Sequence, residues 1–387
     1  MNSKQSKKFY FLMIFLISCL VVGCGDLASK DIKIGVVYEL TGNTASYGTS
    51  ALNGAKLAFK QINADGGVLG KQVQLVIADN KGEPSEAANA MTKVITQDKV
   101  VAVTGFTVSS CGIAASTVAE VNKTPFVAAA TVNPKVTIDE VTSSVKNYTF
   151  RACFIDSFQG RVGAQFALHT LNAKRAAILV DNSSDYSKGL AQIFKENFTA
   201  NDGTIVGISA YLQKDQDYKS ILTNIKALNP DLLYIPGYYE DVAKIIKQAR
   251  ELGLFMPILG ADAWDSPKLV EIGGAQALNN TYFTNFYSIQ DENLESNRFA
   301  ETYQQEYGQL PDSMAAMGYD AAYLLVDAIQ RANSTESNKI CEALAATSNF
   351  KSVSGQMSLN QTHDAVRGVV IIEMQDGKQT YKETIRQ

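Results

Sequence analysis

Few side chains of this 387-residue chain could carry out covalent chemistry, and they are far apart in the sequence. Histidine occurs only at His169 and His363, so neither a histidine-based zinc site nor a histidine-dependent catalytic triad is expected. Cys111 is a candidate nucleophile, but a small residue in the first turn of a helix is the favoured interpretation. The sequence contains no G-x-S-x-G, G-x-x-x-x-G-K-S/T, G-x-G-x-x-G or H-E-x-x-H motif. We therefore expect no catalysis, metal or cofactor, and an enzyme stays the weaker alternative.

Groups that could bind a small anion are found at one predicted helix start. Ser109 and Ser110 precede a helix whose first N–H groups lack intrahelical acceptors and lie at the positive end of its dipole. Such a helix start suits a carboxylate, and the two hydroxyls can add hydrogen bonds to it. Simple N-capping of the helix by Ser109 is the alternative interpretation.

The N-terminal segment predicts export from the cytoplasm. Three lysines precede an uncharged apolar run over residues 9–22, which is too short to span a bilayer but typical of a signal peptide. The run ends at Gly23-Cys24, which resembles a bacterial lipobox. This resemblance implies that residues 1–23 are a lipoprotein signal peptide, that Cys24 carries the lipid anchor, and that residues 24–30 are a tether. An ordinary secretory signal with a chance cysteine, or an uncut signal anchor, is the alternative.

Composition and charge describe an acidic, soluble body. The formal net charge is −4 (35 − 39) and becomes −7 (32 − 39) once residues 1–23, with their three lysines, are removed. No basic block could neutralise a phosphate backbone, so nucleic-acid binding is not expected. Besides Cys24, the mature chain would keep Cys111, Cys153 and Cys341, which allow at most one disulfide and require none.

Strands and helices alternate along most of the chain. Strands are predicted over residues 32–38, 73–78, 100–103 and 125–129, and again over 176–180, 204–210, 232–235 and 257–260. Helices are predicted between them, residues 292–346 are helix-rich, and 368–375 form a late strand. This alternation predicts an α/β fold with parallel sheets, and the length of the chain favours two Rossmann-like lobes.

Several segments of the sequence resemble the type I periplasmic binding proteins, and specifically the branched-chain amino-acid (leucine, isoleucine, valine) binding family. The resemblance extends from Ile32 to Lys378 and depends on short motifs in order. They are Ile34-Gly35-Val36-Val37, Leu40-Thr41-Gly42, Ser46-Tyr47-Gly48, Ile62-Asn63-Ala64-Asp65-Gly66-Gly67-Val68-Leu69-Gly70-Lys71, Asp156-Ser157-Phe158-Gln159-Gly160, Asp185-Tyr186-Ser187-Lys188-Gly189, Gly237-Tyr238-Tyr239, Gln248-Ala249-Arg250, Trp264-Asp265-Ser266-Pro267 and Gly318-Tyr319-Asp320-Ala321-Ala322-Tyr323.

The family fold would place the ligand in a cleft between two lobes joined by three crossover segments. The resemblance implies a first lobe of residues 31–151 and 284–355 and a second lobe of residues 152–283 and 356–387. The crossovers would fall near Arg151, Phe283 and Gly355. The late strand is then explained by the return of the chain to the second lobe.

The resemblance also assigns roles to individual residues. An amino-acid zwitterion needs donors for its carboxylate and an acceptor for its ammonium group. Ser109 and Ser110, with the loop Ala129, Ala130 and Thr131, would bind the carboxylate. The ammonium group would be bound by Asp262, where the best-known leucine-binding relatives have glutamate. The alternative for Asp262 is a helix cap, although Asp265 is better placed for that. Expected pocket residues are Tyr47, Tyr186 and Tyr238, and possible cleft-wall residues are Phe106, Tyr239 and Trp264.

The function that follows is that of an extracytoplasmic solute-binding lipoprotein of an ABC importer. We expect a monomer that closes on a branched-chain or other apolar amino acid and delivers it to permease subunits, while a lipid on Cys24 holds it at the membrane. Asp156 and Gln159 would serve either as hinge residues or as ligand contacts. Two alternatives stay open: a binding protein for an amide, urea or similar solute, and a ligand sensor of the same fold.

Overall fold

The computed structural model describes residues 31–291 and 293–386. The predicted signal peptide, the tether and Cys24 lie outside the described residues. Within the described ranges, no helix combines the length and apolar character that a membrane crossing requires. In the same ranges Cys111, Cys153 and Cys341 are buried free thiols, and no cluster of three potential metal ligands is found.

The first sheet is parallel and has the strand order β2-β1-β3-β4-β5. Its central strands consist almost entirely of buried residues, as expected where helices cover both faces of a parallel sheet. The strands are β1 (Ile32–Tyr38), β2 (Val73–Asp79), β3 (Ala102–Gly105), β4 (Phe126–Ala128) and β5 (Thr149–Arg151). The helices between them are α1 (Ala45–Ala64), α2 (Pro84–Thr96) and α3 (Ser109–Asn122).

The second sheet has the order β15-β14-β10-β9-β8-β6-β7, with β6 to β10 parallel and β14 and β15 antiparallel. Its strands are β6 (Arg175–Asp181), β7 (Thr204–Tyr211), β8 (Leu232–Tyr234), β9 (Ile258–Gly260), β10 (Thr281–Asn285), β14 (Val369–Gln375) and β15 (Lys378–Ile385). Its helices are α4 (Asp156–Gln165), α5 (Asp185–Ala200), α6 (Lys219–Ala227), α7 (Tyr239–Glu251) and α8 (Pro267–Gly273).

Three further helices follow β10, and they belong with the first sheet. They are α9 (Leu294–Tyr307), α10 (Ser313–Ala332) and α11 (Ser337–Ala345). Helix α10 packs along α1, and two glycines permit this approach. A Cβ on Gly54 would lie 1.9 Å from the carbonyl oxygen of Ala315, and one on Gly318 would lie 2.0 Å from that of Ala51. A small sheet of β11 (Phe350–Ser352), β12 (Gly355–Leu359) and β13 (Ala365–Val366) precedes β14.

We call the first sheet with α1–α3 and α9–α11 the first lobe, and the second sheet with α4–α8 the second lobe. The chain passes between them after β5, after β10 and between β13 and β14. Buried ion pairs stabilise these passages: Arg151 Nε lies 2.7 Å from Asp364 Oδ1, and Arg367 Nη2 lies 3.1 Å from Asp320 Oδ2. The expected α/β fold with two parallel-sheet lobes is confirmed, whereas the residue boundaries given for the lobes stay a prediction.

Candidate functional site

The predicted site residues follow the carboxyl ends of parallel strands in both lobes, where α/β proteins bind ligands. In the first lobe, β3 leads into α3 and β4 leads into residues 129–133. In the second lobe, β9 leads into a short 3₁₀ turn, Asp262–Trp264. The two lobes meet here, since Asn133 Nδ2 donates to the carbonyl oxygen of Asp185 at 3.0 Å. The site is therefore an interlobe site.

The start of α3 forms one wall of the site. Its N-cap residue is Val108, which has no side-chain cap, so the interpretation of Ser109 as an N-cap is wrong. Instead, the fully buried carboxylate of Glu39 accepts hydrogen bonds from the backbone N–H groups of Thr107 and Val108. The N–H groups of Ser109 and Ser110 lie in the first turn and have no intrahelical acceptor, so this helix start can bind an anion.

The loop after β4 lies beside this helix start. The N–H groups of Ala129 and Ala130 donate to the carbonyl oxygens of Gly105 and Phe106 at 2.7 and 3.1 Å, which extends the pairing of β3 with β4. Thr131 follows, and its buried hydroxyl makes no hydrogen bond to any described residue. A Cβ on Gly112 would lie 3.0 Å from this oxygen, so the hydroxyl is at the first turns of α3.

Asp262 lies in the second lobe, on the turn that follows β9. Its side chain is 2% exposed, and its Oδ1 accepts hydrogen bonds from Gln159 Nε2 at 2.6 Å and from the Tyr186 hydroxyl at 3.0 Å. Burial raises the pKa of Asp262 to about 7, while these two hydrogen bonds act in the opposite direction. No lysine or arginine of the described residues forms an ion pair with it. A cationic ligand group would supply the missing charge.

Asp156 is a second buried acid near Asp262. It begins α4, and neither of its carboxylate oxygens has a hydrogen-bond partner among the described residues. Burial, and secondly the charge of Asp262, raise the pKa of Asp156 well above its usual range. Gln159 lies one turn later and contacts Asp262 directly. Gln159 is thereby joined to Asp262, and the choice between its two roles stays a prediction.

Tyrosines from both lobes surround these polar groups. Tyr186 and Tyr238 of the second lobe stack with ring centroids 5.3 Å apart, and Tyr47 of the first lobe packs edge-on against Tyr239 at 5.0 Å. The Tyr47 hydroxyl donates to the carbonyl oxygen of Ala263 and accepts from the N–H of Tyr239. In this arrangement Tyr47 joins the lobes across the cleft.

Two of the possible wall residues are not part of this group. Phe106 packs on Phe126 inside the first lobe, and Trp264 packs on Phe283 inside the second, with its indole N–H donating to the carbonyl oxygen of Ile235. Ser110 is half-buried in the first turn of α3.

The expectation that Asp265 caps α8 is wrong, because the Ser266 hydroxyl accepts from the N–H of Lys268.

Sequence comparison relates the chain to a family and to named relatives. Residues 31–379 match the family described as periplasmic binding protein. The Leu/Ile/Val-binding protein BraC3 of Rhizobium johnstonii is 31% identical over 340 residues, which are 87% of this chain and 90% of that protein.

Comparison with solved structures gives the same relationship. The crystal structure of a leucine binding protein from Thermotoga maritima has a TM-score of 0.87 and 36% identity, covering 92% of this chain and 99% of the other. The branched-chain amino acid transporter substrate-binding protein of Streptococcus pneumoniae, solved in complex with isoleucine, has a TM-score of 0.86 and 34% identity, covering 92% and 100%.

Proposed function

This chain belongs to the periplasmic binding protein family, and we propose that it is the extracytoplasmic substrate-binding lipoprotein of an ABC importer for a branched-chain or other apolar amino acid. The relatives named above are amino-acid-binding proteins, so the chain is a solute-binding protein and not an enzyme. The lipid on Cys24, the delivery to permease subunits and the closing motion are parts of the proposal.

One observation supports the choice of ligand: the first lobe offers hydrogen-bond donors to an anion, and the second lobe offers a carboxylate to a cation. The first turn of α3 and the Thr131 hydroxyl supply donors for a carboxylate. Asp262 supplies a buried acceptor without a cationic partner among the described side chains. An α-amino acid matches both, because its carboxylate and ammonium groups are one carbon apart. Tyr186 and Tyr238, whose rings stack 5.3 Å apart, are the aromatic groups that would pack against its side chain.

The test compares ligands that differ by one charged group. Binding of L-leucine, L-isoleucine and L-valine to the soluble body, residues 26–387, is measured by calorimetry. The same is done for leucinamide, which has no carboxylate, and for 4-methylpentanoate, which has no ammonium group. We expect binding of at least one amino acid and a loss of more than tenfold for either analogue, since each leaves a buried group unpaired. Equal binding of 4-methylpentanoate would exclude the ammonium assignment.

Variants of Asp262 test the residue itself. Asp262→Asn removes the charge and keeps the shape, so we expect amino-acid affinity to fall by more than about tenfold. Asp241→Asn is the matched control, because Asp241 is a buried acid of the same lobe that also accepts a tyrosine hydroxyl, that of Tyr218 at 3.0 Å. The amino-acid affinity of this control variant should stay within about twofold of that of the wild type. If urea or acetamide binds while no amino acid does, the proposed substrate class is wrong.

A further inference from the structure

Asp265 ends the same short turn that carries Asp262, and it connects the two lobes. Its side chain is 2% exposed. Oδ1 accepts from Gln379 Nε2 at 2.5 Å, and Oδ2 accepts from Asn285 Nδ2 at 2.9 Å. Both partners belong to the second lobe. Oδ2 also accepts, at 2.9 Å, from the backbone N–H of Ser313, which is the first residue of α10 in the first lobe.

In the contact to Ser313, the negatively charged carboxylate of Asp265 lies at the start of a helix. The first N–H groups of α10 have no acceptor within the helix and lie at the positive end of its dipole. Asp312 satisfies one of them by accepting from the N–H of Ala315 at 2.9 Å, and Asp265 satisfies another from across the cleft. A charged acceptor makes the stronger kind of hydrogen bond.

Other contacts between the two lobes in this region, which we call the interlobe seam, join neutral groups. The hydroxyls of Ser46 and Ser266 are 2.9 Å apart, and the Tyr239 hydroxyl donates to the carbonyl oxygen of Asn43 at 2.7 Å. Among these contacts Asp265 is the one that brings a charge to the other lobe. Asp265 directly follows the Asp262–Trp264 turn, which Tyr47 also contacts through the carbonyl oxygen of Ala263, so its position and that of Asp262 depend on each other.

We propose that Asp265 is a positioning residue for ligand retention. By binding the start of α10 when the lobes are closed, it holds the Asp262 turn over the ligand and slows release. This inference rests on the proposed function, because it assumes that Asp262 contacts the ligand. Asp265 itself does not touch the ligand and acts through Asp262.

The test removes the N–H group instead of the carboxylate. Ser313→Pro deletes the donor at the first helical position, where proline is well tolerated, and Asp312 before it already has the extended backbone that a following proline requires. The buried Ser313 hydroxyl has no partner among the described residues, so little else is lost. Asp265→Asn is the complementary variant. Ser337→Pro, at the first position of α11, is the matched control.

Binding kinetics are followed by the fluorescence of Trp264, the single tryptophan of the chain, with L-isoleucine as the probe. We expect Ser313→Pro and Asp265→Asn to raise the dissociation rate about tenfold and to leave the association rate within about twofold. The Ser337→Pro control should match the wild type, and all melting temperatures should stay close. An unchanged dissociation rate in a folded Ser313→Pro variant would overturn the proposal.

A second measurement separates this inference from the proposed function. Hydrogen–deuterium exchange of a peptide spanning residues 310–316 reports on the Ser313 N–H without depending on which ligand binds. We expect faster exchange in Asp265→Asn than in the wild type. If the wild type binds no amino acid but exchange still accelerates, the substrate class is wrong and the interlobe contact stands. Equal exchange in both proteins while a saturating ligand keeps the lobes closed would overturn the contact, whatever that ligand is.

Discussion

At the scale of single residues, the site is defined by two buried acids that have no cationic partner among the described side chains. Asp262 and Asp156 face the same region, and burial raises the pKa of each. A buried carboxylate without a partner is costly, so Asp262 is held partly neutral until a cation arrives. The ammonium group of an amino acid is such a cation. Ligand binding should therefore be linked to the loss of protons.

The first prediction concerns the pH dependence of binding. The pKa of Asp262 is about 7 without ligand, and the ammonium group favours the ionised form. Affinity should consequently be constant well above pH 7 and should weaken by roughly tenfold per pH unit below it. Calorimetry with L-leucine between pH 5.5 and 8.5 measures this. Asp262→Asn should give a flat profile at lower affinity, and a flat profile in the wild type would contradict the assignment.

The second prediction concerns Asp156→Asn. The raised pKa means that the folded form of Asp156 binds a proton that the unfolded form releases, so its contribution to stability is lost as pH rises. The variant should therefore be more stable than the wild type at pH 8 and similar to it near pH 3.5, as judged by urea unfolding. Its amino-acid affinity at pH 8 should stay within about twofold, because Asp156 keeps its proton and offers no charge to the ligand. Lower stability than the wild type at pH 8 would contradict the raised pKa.

Sequence reasoning identified several of these residues through resemblance and missed others for physical reasons. Tyr186 stands in a family motif and Asp262 at a position where relatives place an acid, and the structure brings them within 3.0 Å. Glu39 was not singled out, because nothing in a single acid after a strand shows that it will meet a helix start 68 residues later. Trp264 was expected as a possible wall because it is close to Asp262 in sequence. In a tight turn, however, neighbouring side chains point in different directions.

At the scale of elements, the site depends on the close packing of α10 on α1. Residues near the start of each helix take part in the interlobe seam: Tyr47 in α1 and Ser313 in α10. Gly54 and Gly318 bring the helices together at distances that no side chain would permit. The pair thus forms a rigid unit that presents both contacts to the second lobe.

The third prediction tests this packing with Gly54→Ala. The added methyl group would meet the carbonyl oxygen of Ala315 at 1.9 Å, so the helices must separate. We expect a loss of about 1–3 kcal/mol in the free energy of unfolding, measured in urea. Gly163→Ala in α4 is the control, since its Cβ would have only ordinary contacts, the nearest at 3.8 Å. That change should be neutral or stabilising by up to about 1 kcal/mol. Equal effects at both positions would contradict the packing argument.

The elements that sequence patterns predicted well are those with long buried stripes. The strand Ile32–Tyr38 has its predicted bounds. The helix Pro84–Thr96 ends one residue before the range 84–97 that its initial proline and apolar periodicity predict. The three-residue strand β5 and the small sheet β11–β13 were not predicted. Such short strands carry too little periodicity, and their pairing depends on distant partners.

At the scale of the whole molecule, the three crossover segments decide how the lobes can move and how they unfold. Arg367 lies between β13 and β14, pairs with Asp320 of α10, and donates to the carbonyl oxygen of Ala152 just after β5. One buried guanidinium thus joins two crossovers to the first lobe. Because these segments are fixed to one another, the lobes should unfold together, even though the proposed ligand-dependent closing motion would change their contacts at the cleft.

The last prediction tests this coupling with Asp320→Asn. The change leaves the Arg367 charge buried without its partner, so we expect a loss of about 3–5 kcal/mol in the free energy of unfolding. Asp327→Asn on the same helix is the matched control. Its partner Arg331 is 2.7 Å away, but both side chains are more than a third exposed, so the loss should stay below about 1 kcal/mol.

Unfolding of these variants is followed in urea by circular dichroism and by Trp264 fluorescence, which reports on the second lobe. Since the broken pair belongs to the first lobe and the crossovers, a shift of both signals together would show that the lobes unfold as one cooperative unit. Amino-acid affinity should stay within about threefold, because neither member of the pair contacts a residue of the site. If the fluorescence transition stays in place while circular dichroism shifts, the lobes are energetically independent, and the crossovers serve as flexible connections instead.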